Sequence, residues 1–506
     1  MPTLRETING WNQKEKFNIV LTFLLGLFCL FSLRYQYHLL NFQEWGDESE
    51  TIVCVKMMHH GMRLYSEIFN HHGPLTFLPG LIAEKITNCG IQGHRLFIAI
   101  LQILAVLSIY NSPIIETKRL RLIASTFSVA AIIFFMPKIF GHMYKYQTIA
   151  GIFLTIIISN FSLPSIYNQN VLRKNSIFMG NFLLASLPFL SITYLPTSGL
   201  IFLASFRQAW ILPSAIGLCS GLLVNLAFLA KFGSLAGYLA FHIYLNSKLL
   251  PLYTGLKPGW DLVITALNTV LSDSSTRTSF LVLLRALYVL GRNNSRFYWR
   301  PIFLVIALLS LLMRGGGFHG MPFFYSVLPF FAPFFKFLET DSSLFRIAIF
   351  GVLSFFTVQA SLILPKKRQL LSNGKILMDT EFSQLVKKIT EPEDRIISYP
   401  FNNFEYLASD RLPASGHFFY LPWQEKYNEN PQFGVMINAC QQIQEAAPKV
   451  IWIDQGLFWG RFPWRSYATC IQNYVDLNYQ QVPEKPYYIR KDLLKNNQVR
   501  SLIFKN

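Results

Sequence analysis

The chain reads as an α-helical polytopic membrane protein with about eleven spans, followed by a small C-terminal α/β domain. Three observations carry that reading. Of 506 residues, 52% are hydrophobic and only 14% charged, where a soluble domain carries about 25% charged residues. The apolar residues fall in runs near the roughly 20 that a bilayer core requires. After Leu364 the composition turns abruptly polar and mixed. A mean hydropathy of +0.33 excludes a disordered chain, a coiled coil and a collagen-like chain, and argues against a purely soluble enzyme. The net charge is +18. In a soluble protein that would suggest nucleic acid. Here the basic residues sit between apolar runs. They read as loop charges with an attraction for anionic membrane lipids or phosphates, and no nucleic-acid partner is expected.

The first run, Phe17 to Leu40, follows Arg5, Lys14 and Lys16. No small-residue cleavage site follows it, so it reads as an uncleaved span with a cytoplasmic N-terminus. Further runs lie at 74–88, 95–113, 120–137, 147–166, 177–203, 209–230, 277–290, 300–313, 321–338 and 344–364. Several are short, and two or three of them would be re-entrant or interfacial. An odd count puts the tail outside. Arg292, Arg296 and Arg300 suit a cytoplasmic loop. Lys118, Arg119 and Arg121 would fall outside, a conflict that one miscounted span would remove.

The spans give residues 1–365 as a membrane domain and 366–506 as a second domain of about 140 residues, large enough to fold alone. Pro365-Lys366-Lys367-Arg368 marks the junction. Phe382, Leu385, Val386 and Ile389 recur at helical spacing, with Asp379 or Thr380 as cap. Met436, Ala439, Cys440 and Ile443 suggest a second helix. Arg395–Tyr399, Val450–Ile453 and Tyr487–Arg490 read as short strands. Six cysteines are too few for a disulfide scaffold. Cys29 and Cys219 lie in apolar runs and fill space. Cys440 and Cys470 can pair if the tail faces an oxidising compartment, which spacing does not decide. Trp459, Arg461 and Trp464 either bind sugar rings or pack.

The chemistry concentrates in the first exposed loop, 41–73. It opens acidic and ends on paired histidines before Gly73-Pro74. Ile52, Val55, Met58 and Met62 recur at helical spacing, which predicts a helix lying flat on the membrane. Asp47 has two readings. It is an N-cap with Glu50 completing a capping box, or a general base whose proton affinity is raised beside apolar walls. Glu48 is about 100° further round the helix, so the two acids diverge. It reads as a positioning or metal-binding group. His59-His60 and His71-His72 invite a zinc reading, but lack the spacing that puts two imidazoles on one face. A divalent metal arriving with a phosphate, held by groups such as Glu48 and His71, stays open. No cofactor is certain. Arg314, followed by Gly315-Gly316-Gly317-Phe318-His319, is a snorkelling residue before a turn or a phosphate clamp.

Asp47-Glu48, Gly61-Met62-Arg63-Leu64-Tyr65 and Phe69-Asn70-His71-His72-Gly73-Pro74-Leu75 resemble the first periplasmic loop of the GT-C membrane glycosyltransferases. The likeness is to their bacterial protein-mannosyltransferase-like and aminoarabinose-transferase-like branches. Arg411 to Ser415 and Pro448 to Asp454 are similar to the tails of many members. The resemblance implies a GT-C fold in the bacterial inner membrane with the tail on the extracytoplasmic side. It implies Asp47 as base for the acceptor and Glu48 as the second acid. It puts His72 at the donor phosphate, where relatives carry lysine, and Arg314 and His319 near a late basic position. A neutral imidazole is a weaker anion partner than lysine, so this departure weakens the role of His72.

The expected activity is inverting transfer of a monosaccharide from a polyprenyl-phosphate carrier to a lipid, glycan or protein hydroxyl. Two rivals are a flippase for a polyprenyl-linked lipid or polysaccharide, and a scaffold without catalysis. A transporter would place ionisable residues within its spans. The runs are nearly free of acids, which favours surface chemistry.

Overall fold

The computed structural model describes residues 13–87, 89–167, 172–255, 259–292, 299–336 and 375–503. The predicted run 344–364 and the junction 365–368 lie outside the described residues.

Among the described residues, four helices are long and apolar enough to cross a membrane: Ile91–Tyr110, Lys118–Ile139, Tyr146–Tyr167 and Gln208–Phe232. The first helix, Gln13–Leu39, has 27 residues and extends roughly 40 Å at 1.5 Å per residue. The chain is a membrane-integral protein.

Three departures from the sequence reading shape the site. The run 74–88 is no span. It forms a turn, Pro74–Thr76, and a nine-residue helix, Leu78–Ile86, about 13 Å long and too short to cross. It packs on the helix Gly46–His59, where Lys56 meets Glu84 at 3.3 Å. Its removal from the count answers the charge conflict. Lys118, Arg119 and Arg121 then lie on the face opposite the 41–73 loop.

The run 177–203 is two helices, Lys174–Ser186 and Leu195–Ser205, joined by tight turns at Leu187–Phe189 and Ile192–Tyr194. Pro188 breaks it, because proline lacks an N–H and crowds the preceding turn. The freed carbonyls serve the loop. The Gly73 N–H donates to Leu190 O at 3.0 Å. A Cβ on Gly73 would stand 2.1 Å from Phe189 O, so only glycine fits there.

Helical segments also occupy 235–254, which the apolar count passed over. Tyr238–Leu249 is π-helical, and Leu250–Thr254 follows. His242, Asn246 and Lys248 make the stretch too polar to read as a span. His242 and Asn246 are one turn apart, and both reach the His71 carbonyl, at 3.0 and 2.7 Å.

The tail carries a four-stranded sheet in the order β1-β2-β6-β5. β1 (Ile397–Tyr399) runs parallel to β2 (Val450–Ile453). β6 (Tyr487–Arg490) is antiparallel to β2 and to β5 (Tyr479–Gln481). Strands β3 (Leu457–Phe458) and β4 (Phe462–Pro463) form a separate hairpin. The helix Glu381–Ile389 starts at Thr380, whose Oγ1 accepts the Ser383 N–H at 3.0 Å. The second helix, Ala439–Ala446, is joined to Thr469–Asn478 by the Cys440–Cys470 disulfide. Trp464 is fully buried and donates to Gln472 Oε1 at 2.8 Å, whereas Trp459 stays half exposed beside Trp423. Trp464 therefore packs.

The tail is clasped to the first loop. The Phe69 N–H donates to Gly416 O at 3.0 Å, and the Ile376 N–H to Asn41 O at 3.0 Å. Phe401 lies over Gly46.

His417 stands buried in this clasp, its Nε2 bonded to Ile437 O at 2.9 Å while Gln424 Nε2 meets its Nδ1 at 2.7 Å. Burial pulls it down to about 3, whereas a histidine in an unfolded chain titrates near about 6.5. Its contribution to stability is complete above about pH 6.5 and is lost as pH falls from there toward the folded value. Thermal unfolding between about pH 7.5 and 4.5 should show the tail losing stability with acid, with a shallower slope in His417→Gln. Equal slopes would exclude the assignment.

Candidate active site

The helix Gly46–His59 begins at Trp45, with no side-chain cap. The capping-box expectation for Asp47 and Glu50 is therefore corrected: both lie inside the first turns. The flat, membrane-lying helix is also corrected. Residues from Glu48 to Val55 are all buried, because Leu78–Ile86, Ile91–Tyr110 and the tail helix Phe404–Ser409 pack around it.

At about 100° per residue, the three acids of this helix take three partners. Asp47, a quarter exposed, pairs with the buried Lys145 at 3.1 Å. Glu48 is fully buried. It accepts Arg95 Nε at 2.8 Å and the Tyr144 N–H at 2.8 Å, and pairs with Arg95 Nη2 at 2.5 Å. Arg95 also donates to the carbonyls of Leu39, at 3.1 Å, Phe42, at 2.6 Å, and Gln43. Glu50 accepts from Asn70 Nδ2 at 3.0 Å and lies 3.4 Å from His72 Nδ1.

Lys145 was missed in the sequence. Its signal is a lone cation between Tyr144 and Tyr146 at the head of an apolar run. The ammonium lies 4.7 Å from the Phe318 ring centre and 5.9 Å from that of Phe140. Phe318 belongs to the loop after Arg314, and Arg314 Nη1 donates to Tyr146 Oη at 3.3 Å. The Tyr146 ring lies 4.7 Å from that of His72. Asp47, His72 and Arg314, distant in sequence, thus meet around Lys145-Tyr146. His319 stands beside Phe318 in the same loop.

The segment Gly61–Tyr65 is structural support. Tyr65, in the left-handed region at φ 67°, donates to His72 O at 2.5 Å. Arg63 donates to Gly233 O at 2.7 Å.

Burial and the Asp47 charge hold the Glu50 carboxyl well above its usual range. Burial, then the Arg314 charge, bring His71 down to about 4. His72 is pushed well below its usual value by burial, then by His71, Lys145 and Arg314. His319 falls to about 3 by burial and Arg314. All three imidazoles are neutral at pH 7, so the cations facing this space are Lys145 and Arg314.

Neutral imidazoles suit a metal. Glu50, His71 and His72 offer ligand atoms within 4.8 Å of one another, and the Nδ1 atoms of both histidines are buried without a hydrogen-bond partner. The set fits a zinc-like ion. The sequence expectation named Glu48 with His71; Glu48 is instead occupied by Arg95, and Glu50 stands in the group. Elemental analysis of purified protein should find zinc, and Glu50→Gln or His72→Ala should weaken its retention at least about tenfold. Unchanged retention would exclude the site.

No protein family and no curated protein matches the chain in sequence. Solved structures do. ArnT from Cupriavidus metallidurans bound to undecaprenyl phosphate superposes with a TM-score of 0.52 at 11% identity, over 92% of this chain and 97% of that one. Its apo state gives 0.54 at 9% identity over the same shares. The Archaeoglobus fulgidus oligosaccharyltransferase in complex with Zn and sulfate gives 0.46 at 13% identity, over 85% and 68%. Almost the whole of ArnT is matched, and the chain shares its fold.

Proposed function

We propose that this chain transfers a sugar from a polyprenyl-phosphate carrier to an acceptor hydroxyl, with inversion. The observation that carries the reading is the part-exposed Asp47 carboxylate, 3.1 Å from buried Lys145, with Arg314 held on the neighbouring Tyr146 at 3.3 Å. A carboxylate and two cations around one space match what the reaction needs. The acceptor hydroxyl is a poor nucleophile and requires a base. The leaving phosphate needs positive charge more than a proton.

In the free protein Lys145 pairs with Asp47 at 3.1 Å. A donor phosphate entering between them competes for Lys145 and releases the carboxylate toward the acceptor. Asp47 then takes the hydroxyl proton as the acceptor oxygen bonds to the anomeric carbon. The bond from that carbon to the phosphate oxygen breaks on the opposite side, and the polyprenyl phosphate leaves against Lys145 and Arg314. A metal held by Glu50, His71 and His72 would supply further positive charge for phosphate oxygens. His72, neutral, serves as a ligand rather than the phosphate contact expected from resemblance, and His319 stays uncharged beside Phe318. Glu48 positions: it locks Arg95 and the Tyr144 N–H, and so the bend that carries Lys145 into the helix starting at Tyr146.

The acceptor would be a lipid, glycan or protein hydroxyl. Lys118, Arg119, Arg207 and Arg300 lie opposite the site, so a bacterial inner membrane would carry the site and the tail on its extracytoplasmic side. The test is covalent transfer in detergent from a polyprenyl-phosphate sugar to an added hydroxyl acceptor. Transport needs two compartments, and transfer does not. Movement seen only in sealed vesicles, with no covalent product, would replace transfer by flipping.

A further inference from the structure

Three helix ends converge on the membrane face opposite Asp47. Thr197 and Ser310 share a hydrogen bond of 2.6 Å. The helices Leu195–Ser205 and Trp299–Ser310 pack along each other. Ten residues on from Thr197 lies Arg207, and ten back from Ser310 lies Arg300, so an antiparallel pair brings the two arginines together. The Arg300 charge is felt at Arg207, where burial and that charge lower the guanidinium to about 10. Arg207 Nη2 donates to Ser165 O at 2.8 Å. Ser165 closes the helical stretch Tyr146–Tyr167, whose first residue touches Arg314. At 1.5 Å per residue Ser165 lies about 30 Å along that stretch from Tyr146.

Two like charges brought together at these helix ends call for an anion. Among the described residues, no ion pair involves either arginine. Arg207 Nε and Arg300 Nη1 are buried without a hydrogen-bond partner. Trp210 lies 5.9 Å from the Arg207 guanidinium and Trp299 lies 5.1 Å from that of Arg300. Tryptophans at the ends of apolar helices mark the headgroup level of a bilayer.

We propose that Arg207 and Arg300 form a phosphate-binding site on the face opposite Asp47, seating the headgroup phosphate of an anionic phospholipid. Guanidinium forks match phosphate oxygens in pairs. The flanking indoles suit a lipid better than a free ion. This site is independent of the transfer reading and makes no use of activity.

The test uses the full chain in detergent. Thermal unfolding and native mass spectrometry are followed with phosphatidylglycerol, phosphatidylcholine or inorganic phosphate added. Phosphatidylglycerol should bind and stabilise in preference to phosphatidylcholine. At roughly 1 kcal/mol for each cation near a headgroup, Arg207→Gln or Arg300→Gln should lower that preference about fivefold, and the pair about thirtyfold. Arg285→Gln, on the lipid-facing helix Ser274–Gly291, should leave it intact. Equal stabilisation by inorganic phosphate, lost in the same variants, would keep the site and make free phosphate its ligand. No preference in the unaltered protein overturns the proposal, whatever the variants do. So does a preference that survives Arg207→Lys with Arg300→Lys and Arg207→Gln with Arg300→Gln alike.

Discussion

Asp47→Asn should lose about 10²- to 10⁴-fold in turnover, the range by which a positioned base accelerates proton transfer, with the protein still folded. Asparagine keeps the shape and an oxygen for Lys145, but an amide does not take a proton from a hydroxyl. The residue is a quarter exposed and lies in the first turn of its helix. Losing a first-turn negative charge costs about 0.3–1 kcal/mol, and removing the counter-charge of buried Lys145 adds to it, which is why unfolding is measured beside turnover. Asp47→Glu should fall between, because its carboxylate is displaced by about one bond, and errors near 1 Å cost roughly a hundredfold. Lys145→Ala should instead weaken the donor interaction and raise KM for the polyprenyl-phosphate sugar. The measurement is sugar transfer in detergent beside thermal unfolding of each variant. Asp47→Asn with unaltered turnover would remove the base from the proposed mechanism and the leading reading with it.

Arg95→Met should destabilise the protein by about 3–5 kcal/mol, since removing one partner leaves a buried charge uncompensated. That is a large share of the roughly 5–15 kcal/mol available to a folded domain. Both partners are sealed from solvent. Arg95 also ties down the carbonyls of residues 39–43, which lead the chain from the first helix into the acid-bearing one. Adding Glu48→Gln to Arg95→Met should recover part of the loss, because the stranded carboxylate is gone while the carbonyl contacts remain broken. Thermal unfolding of the four combinations gives the coupling directly. An Arg95→Met protein as stable as the parent would mean the pair contributes nothing, and Glu48 would return as a free catalytic candidate.

Much was readable along the chain because it is a one-dimensional property. Runs of apolar residues near bilayer length, such as 95–113 and 209–230, became helices, since a helix satisfies its own backbone in lipid. The same holds for the polar tail, whose period-four and short β-branched segments became its helices and strands. The loop 41–73, with Asp47 at the head of a helix and the histidines at its end, also stood out locally.

What stayed hidden depends on which residues meet across the fold. Lys145 is 98 positions from Asp47, and Arg95 is 47 from Glu48. No local pattern encodes either partner. Glu48 read as the positioning or metal-binding acid and Glu50 as a capping partner, yet the roughly 200° between them on the helix aims one at an arginine and the other at two histidines. The run 74–88 was apolar enough to count as a span, and only its packing against Gly46–His59 showed a short segment beside the site. The stretch 235–254 was too polar to count, because its polar groups serve a carbonyl that hydropathy does not see. Composition and periodicity determine which segments are apolar enough to enter the membrane, since each carries its own transfer cost. Charge partners are decided by folding alone, since burial makes an unpaired ion costly only once distant helices have closed around it.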